Sequence, residues 1–169
     1  MERGQAERLK PMIEAFMARE AVTWPEVTAV AVGVGPGNFT GIRISVALAR
    51  GLALGLGKPA VGVTSFEAAA WAQGGMPFPY WVRIAAPRGQ SYVQRFDAVN
   101  SAAQFVGLDW AATDAPVVAA AAVPLERFVA AIAEIGQGRS LSPQPRPAPF
   151  YLRGADAAPP ADPPPVILP

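Results

Sequence analysis

The stretch Thr28-Ala-Val-Ala-Val-Gly-Val-Gly-Pro-Gly-Asn-Phe-Thr-Gly-Ile-Arg43 changes character in its middle. Thr28–Val34 is a continuous run of β-branched and small apolar residues, the pattern of a strand buried on both faces. It stops at Gly35-Pro36-Gly37, and helix-compatible sequence resumes by Gly41. Downstream, Ala60–Val63 reads as a second short apolar strand, introduced by Gly57-Lys58-Pro59. Thr64-Ser65-Phe66-Glu67 then has the S/T-x-x-E form of a capping box and opens a helix through Ala72. Upstream, Leu9, Met12, Ile13, Phe16 and Met17 recur at helical spacing, with Glu7, Arg8, Lys10, Glu14 and Arg19 on the other face. Pro11 falls inside that pattern and predicts an irregular first turn, or a regular helix that begins near it. The order helix, strand, helix, strand, helix implies an α/β unit with parallel strands and right-handed crossovers.

A glycine turn between a buried strand and a helix start has two uses. Gly35, Gly37 and Gly41 let the backbone bend or approach a ligand, Thr40 is placed to cap the helix, and free amides there favour an anion. The loop is not a Walker A motif, since no Gly-Lys-Ser/Thr follows, and the alternating Gly33, Gly35 and Gly37 miss the G-x-G-x-x-G spacing. Both a structural turn and a phosphate cradle stay open on chemistry alone.

The helix that follows carries Ile42, Ile44, Val46, Leu48, Leu52, Leu54 and Leu56, so it is apolar nearly all the way round. Such a helix is expected to be buried on more than one side. Ala47, Gly51 and Gly55 stand at i, i+4 and i+8 and draw a small-residue stripe where another backbone can come close. Glycine inside a helix costs about 1 kcal/mol against alanine, which argues for a packing reason. The first helix is the natural neighbour, and together the two form a face for a second subunit or pack only within the chain.

Past Gly74-Gly75 the texture changes. Tyr80–Ala85 and Ser91–Phe96 are strand candidates joined by Ala86-Pro87-Arg88-Gly89-Gln90, a hairpin. Pro116–Val123 holds one more strand, and Pro124–Ile135 a helix with proline at its first turn. Residues 1–73 thus read as one lobe and 74–153 as a smaller second one. Ten of the 19 prolines fall between Pro143 and Pro169, which predicts extended backbone there and a mobile end over Asp162–Pro169.

Composition removes mechanisms. With no cysteine and no histidine, there is no disulfide, thiolate nucleophile, Cys/His zinc site or histidine base. The 13 acidic residues form no D-x-D or E-x-x-E cluster for a metal. A net charge of +1 gives no overall footprint for nucleic acid. The charged N-terminus is no signal peptide, and Arg43, Arg50 and Lys58 interrupt the most apolar window, Ile42–Val63, so a soluble, cytoplasmic protein is expected.

Ala31-Val-Gly-Val-Gly-Pro-Gly-Asn-Phe-Thr-Gly-Ile-Arg43, Ala49-Arg-Gly-Leu-Ala53 and Pro59-Ala-Val-Gly-Val-Thr-Ser-Phe-Glu67 together resemble the central signature of the TsaB/YeaZ family. Arg3–Met12 resembles that family's first helix, Arg88–Tyr92 its hairpin, and Pro149–Arg153 its C-terminal segment. The resemblance implies a two-lobed, actin-like ATPase (ribonuclease H-like) fold, a group often labelled glycoprotease or M22-like. It implies a non-catalytic, dimerising subunit that supports the catalytic homologue TsaD, with the ATPase TsaE, in transferring threonylcarbamoyl to adenosine 37 of tRNA, which it meets only through the complex. TsaD holds its metal with histidines, and this chain has none. The family's interface helices correspond to residues 6–19 and 40–56, which places Leu9, Met12, Ile13, Phe16, Ala47, Arg50, Gly51, Leu54 and Gly55 at the contact with TsaD or with a second copy. The loop residues Gly35, Gly37, Asn38, Thr40, Gly41 and Arg43 are the place for a nucleotide, though no cofactor is required.

Two departures stand out. The family's opening Asp-Thr-Ser strand and the antiparallel strands after it have no counterpart before Leu9, so an N-terminally truncated first lobe and an unpaired edge on Ala29–Val34 are expected. Ala86-Pro87 stands where the family's hairpin often carries an aspartate. Two other readings compete: a nucleotide-using enzyme of the same superfamily, with Asp97 as its carboxylate, and a stand-alone homodimer.

Overall fold

The computed structural model describes residues 4–74, 76–97 and 102–152. Arg153 and the proline-rich segment 154–169 lie outside the described residues, and so does the end expected to be mobile. The first half follows the predicted order: α1 (Gln5–Arg19), β1 (Val30–Gly35), α2 (Phe39–Leu56), β2 (Ala60–Thr64) and α3 (Ser65–Ala72). α1 does not wait for Pro11; it starts six positions earlier and runs through it. The proline then costs the hydrogen bond that its missing N–H would have made to the preceding turn.

β1 and β2 pair in parallel, Val30 against Ala60 through Gly33 against Val63. The alternation along β1 sorts its two neighbours. Val32 and Val34 are buried with Ile42, Val46 and Ala49 of α2, and Val30 packs beside them. The opposite face carries only Ala31 and Gly33, and there α4 (Leu125–Ser140) comes in close. Ile132 Cδ1 would stand 3.5 Å from a Cβ added at Gly33. A strand that is large on one face and small on the other holds a helix on each at different heights. Among the described residues no further strand pairs with β1, although the Phe150 N–H donates to the Val34 carbonyl at 2.8 Å.

The second half builds a four-stranded sheet in the order β5-β4-β3-β6, with β3 (Tyr80–Ala85) and β4 (Ser91–Phe96) as the predicted hairpin. β5 (Gln104–Val106), too short and irregular to stand out in the sequence, pairs antiparallel with β4. Of the predicted strand Pro116–Val123 only β6 (Val117–Ala119) is extended, parallel to β3, before a 3₁₀ turn at Ala120–Ala122. α3 packs its Phe66 and Ala69 on this sheet, among Tyr80, Val82, Tyr92, Phe96 and Val118. α4 then returns to the first sheet, where Ala131 and Ile135 are buried with Val63 and Ala68.

α4 also passes the glycine at which a helix was expected to stop. It continues through Gly136 to Ser140 because Gly136 lies on Ala31, where an added Cβ would sit 2.4 Å from Ala31 Cβ. Gly136→Ala sets two effects against each other. Helix propensity gains about 1 kcal/mol, and an overlap that no rotamer can relieve costs about 1–3 kcal/mol. The expected result is a net loss of up to about 2 kcal/mol in urea unfolding, recovered in part by the double change with Ala31→Gly.

Candidate functional site

The glycine loop is closely packed. Gly35 has φ +99° ahead of a cis Pro36, and a Cβ there would meet Ile42 Cδ1 at 2.7 Å and the Phe150 carbonyl oxygen at 3.2 Å. Only glycine fits that backbone and that space. The helix cap is Asn38 rather than Thr40: the Gly41 N–H donates to Asn38 Oδ1 at 2.8 Å, and Thr40 is already inside the helix on its exposed side. Asn38 wins because it has the extended backbone a cap requires. Gly37 faces only Ile42 Cδ1, at 3.8 Å from an added Cβ, and Gly41 lies against its own cap. The Ser65 hydroxyl donates to the Pro36 carbonyl at 3.0 Å and ties the loop to the start of α3.

Arg43 leaves the first turn of α2 and is held from both sides. Its guanidinium carbon stands 3.8 Å from the centre of the Phe39 ring, and its Nε donates to the Tyr151 hydroxyl at 2.8 Å. The Phe39 and Tyr151 rings are 4.7 Å apart. The C-terminal segment therefore lies across the mouth of the loop. Sequence reasoning placed the loop and its arginine together but had no local signal for the tyrosine that engages it.

The helix face beyond the loop is open. α2 fully buries Ile42, Val46, Ala49 and Ala53 and half-buries Ile44, Leu48, Leu52 and Leu56. It packs on β1 and, as expected, on α1, and it leaves one strip open. Its length and composition would suit a membrane span, but it is packed on β1. An apolar helix looks buried all round in the sequence whether or not the chain itself supplies all of the cover. On the open side stand Ala47, Arg50, Gly51, Leu54 and Gly55, all exposed, with Leu54 82% so. A Cβ added at Gly51 or Gly55 would meet nothing within 4 Å. α1 packs on α2 and buries Met17, with Leu9 and Ile13 half-buried. It leaves Met12 62% and Phe16 55% exposed.

A third cluster was only half legible. Glu67 Oε2 accepts from the Thr64 N–H and hydroxyl, both at 2.8 Å, which is the predicted capping box. Its other oxygen is paired with Arg139 of α4, whose Nη1 also reaches the Gly62 carbonyl at 3.4 Å. Burial alone pushes the Glu67 carboxyl up, but the Arg139 and Thr64 hydrogen bonds together outweigh it and hold it below the usual 4.5. A carboxyl lowered by folding stabilises fully above its unfolded value and loses that contribution as pH falls through its folded value. Glu67→Gln keeps an acceptor for the capping box and loses the ion pair, so it is expected to cost about 0.5–1 kcal/mol at neutral pH. The difference from the parent protein should close below about pH 4.5 in urea titrations.

A family model described as TsaD, tRNA N6-adenosine threonylcarbamoyltransferase, matches residues 1–134. TsaB of Escherichia coli K12 is 38% identical over 63 residues, 37% of this chain and 27% of that protein. A tRNA N6-adenosine threonylcarbamoyltransferase of Jannaschia is 34% identical over 117 residues, 68% of this chain and 32% of that protein. The chain thus spans a third or less of the length of these curated relatives. An uncharacterized protein of Mycobacterium tuberculosis is 31% identical over 170 residues, covering 93% of this chain and 79% of that one. Among solved structures, YeaZ from Pseudomonas aeruginosa superposes with a TM-score of 0.64 at 22% identity, over 90% of this chain and 86% of that one. The shared fold is the actin-like ATPase, ribonuclease H-like one. With residues 1–134 inside the TsaD model and the signature loop shared with TsaB, the chain belongs to the glycoprotease-like family of TsaD and TsaB/YeaZ proteins.

Proposed function

We propose that this chain is a non-catalytic docking subunit in the biosynthesis of threonylcarbamoyladenosine in tRNA, binding and supporting TsaD in a cytoplasmic complex that also engages TsaE. The observation that carries the reading is the open face of α2, where Gly51 and Gly55 face empty space beside an exposed Leu54, together with the exposed Met12 and Phe16 of α1, the helix packed on α2. An apolar helix face floored by glycines suits the close approach of another helix, and interfaces place buried apolar anchors at their centre. The absence of histidine supports a supporting rather than a catalytic role.

The nucleotide-using alternative is disfavoured by the packing of the loop, where Ile42 and the Phe150 backbone occupy the space beside Gly35. The contact with TsaD and a contact with a second copy would use the same face and so compete. Co-purification with TsaD from the same source, read by the mass of the assembly in solution, is expected to give a heteromeric complex. A chain that remains alone, or pairs only with itself in the presence of TsaD, would refute the proposal.

A further inference from the structure

We propose that the groove between the C-terminal half of α2 and the segment that follows α4 binds the phosphate backbone of an RNA. The groove has a volume of about 720 Å³ and is lined by three cations from three separate segments: Arg50 of α2, Lys58 of the α2–β2 turn, and Arg146 after α4. No carboxylate lines it, and among the described residues none of the three cations has an ion pair or hydrogen-bond partner for its charged group.

Lys58 is not there to close its helix. Gly57, in the left-handed region at φ +63°, and the Lys58 backbone N–H already reach the last carbonyls of α2, at Leu54 and Ala53. The ammonium is thus left over. A larger groove, about 1050 Å³ between α3 and α4, makes the contrast. Its charges are used internally, Glu67 with Arg139, Glu134 with the Trp71 indole N–H at 2.6 Å, and Arg127 with the Ala72 carbonyl. Three unpartnered cations in one groove of a chain with net charge +1 are a local concentration of positive charge. A polyanion answers it best, since several spaced phosphates can each take one cation and release counterions.

The choice of RNA over an acidic protein segment rests on the function proposed above, which brings a tRNA to the complex. The groove overlaps the docking face at Arg50, Gly51 and Leu54, which line it, so RNA and partner would meet there. Lys58 and Arg146 lie off the α2 face and can be altered without touching it. The test uses the full chain assembled with TsaD and an unmodified tRNA transcript carrying adenosine 37. Binding is measured from about 50 to 200 mM salt for the parent and for Lys58→Gln/Arg146→Gln. The double variant is expected to bind more weakly, with a salt slope reduced by about 1.5–2 and an unchanged complex with TsaD. An unchanged slope overturns the inference. So does loss of the TsaD complex itself, which would assign the groove to an acidic segment of the partner. Should no complex form with the parent chain, the docking proposal fails separately, and the same salt series on the chain alone decides this one.

Discussion

Gly51→Leu, and equally Gly55→Leu, is expected to weaken binding to TsaD by about 100-fold or more, which is about 2.7 kcal/mol, while making the isolated chain slightly more stable. The two halves of that expectation have separate causes. In the chain alone neither position meets a heavy atom within 4 Å of an added Cβ, so nothing within the fold resists a side chain. Replacing Gly51, inside α2, with a strong helix former should then gain about 0.5–1 kcal/mol in urea unfolding, and Gly55, in the last turn, somewhat less. In the proposed complex the same side chain would hold the two backbones apart and open a gap in the contact, where lost packing is felt most. Gly138→Leu serves as the control. It is an exposed glycine with nothing within 4 Å of an added Cβ, on α4, away from the docking face. It should show a similar gain in stability and no change in binding. Leucine variants that still bind TsaD as well as the parent would move the interface elsewhere.

The same face shows where the sequence runs out as a guide. Strand β1 was legible because a continuous apolar run marks a strand covered on both faces, and in the fold Val30, Val32 and Val34 lie toward α2 while Ala31 and Gly33 lie toward α4. The capping box at Thr64–Glu67 and the hairpin of Tyr80–Ala85 with Ser91–Phe96 were legible because each is a local arrangement of a few residues. What failed depends on distant partners. Gly136 reads as a helix end by propensity, and only Ala31 beneath it explains why the helix continues. Arg139 is one arginine among several until α4 brings it to Glu67, and Arg43 acquires its meaning from Tyr151. The open strip of α2 is the instructive case. Hydrophobicity records that a face wants cover, and it does not record which molecule provides it.

Phe66→Ala is the mirror image of the glycine variants: stability should fall by about 3–5 kcal/mol with docking intact. Phe66 is fully buried in the first turn of α3, where the capping box fixes the helix start and leaves the backbone little room to settle. The surroundings are equally unable to collapse. Tyr80 is stacked between Phe78 and Phe96, with ring centres 5.5 Å apart on each side and planes within 6°, so the neighbouring rings are already braced against each other. A cavity should persist, and the cost lies toward the upper end for such a truncation, a large part of a total stability of about 5–15 kcal/mol. Thermal unfolding should drop by roughly 6–20 °C for a chain of this size. Phe66→Leu, which keeps most of the volume, should cost about 1.5 kcal/mol or less. Phe66 packs on the second sheet, whereas the proposed docking face is the side of α2 turned away from β1. At a temperature where Phe66→Ala is still folded, its affinity for TsaD per folded molecule should therefore match the parent's. A drop in that affinity would mean that the α3 core and the α2 face are one cooperative unit, and that the docking helix is held in place by more than its contact with β1.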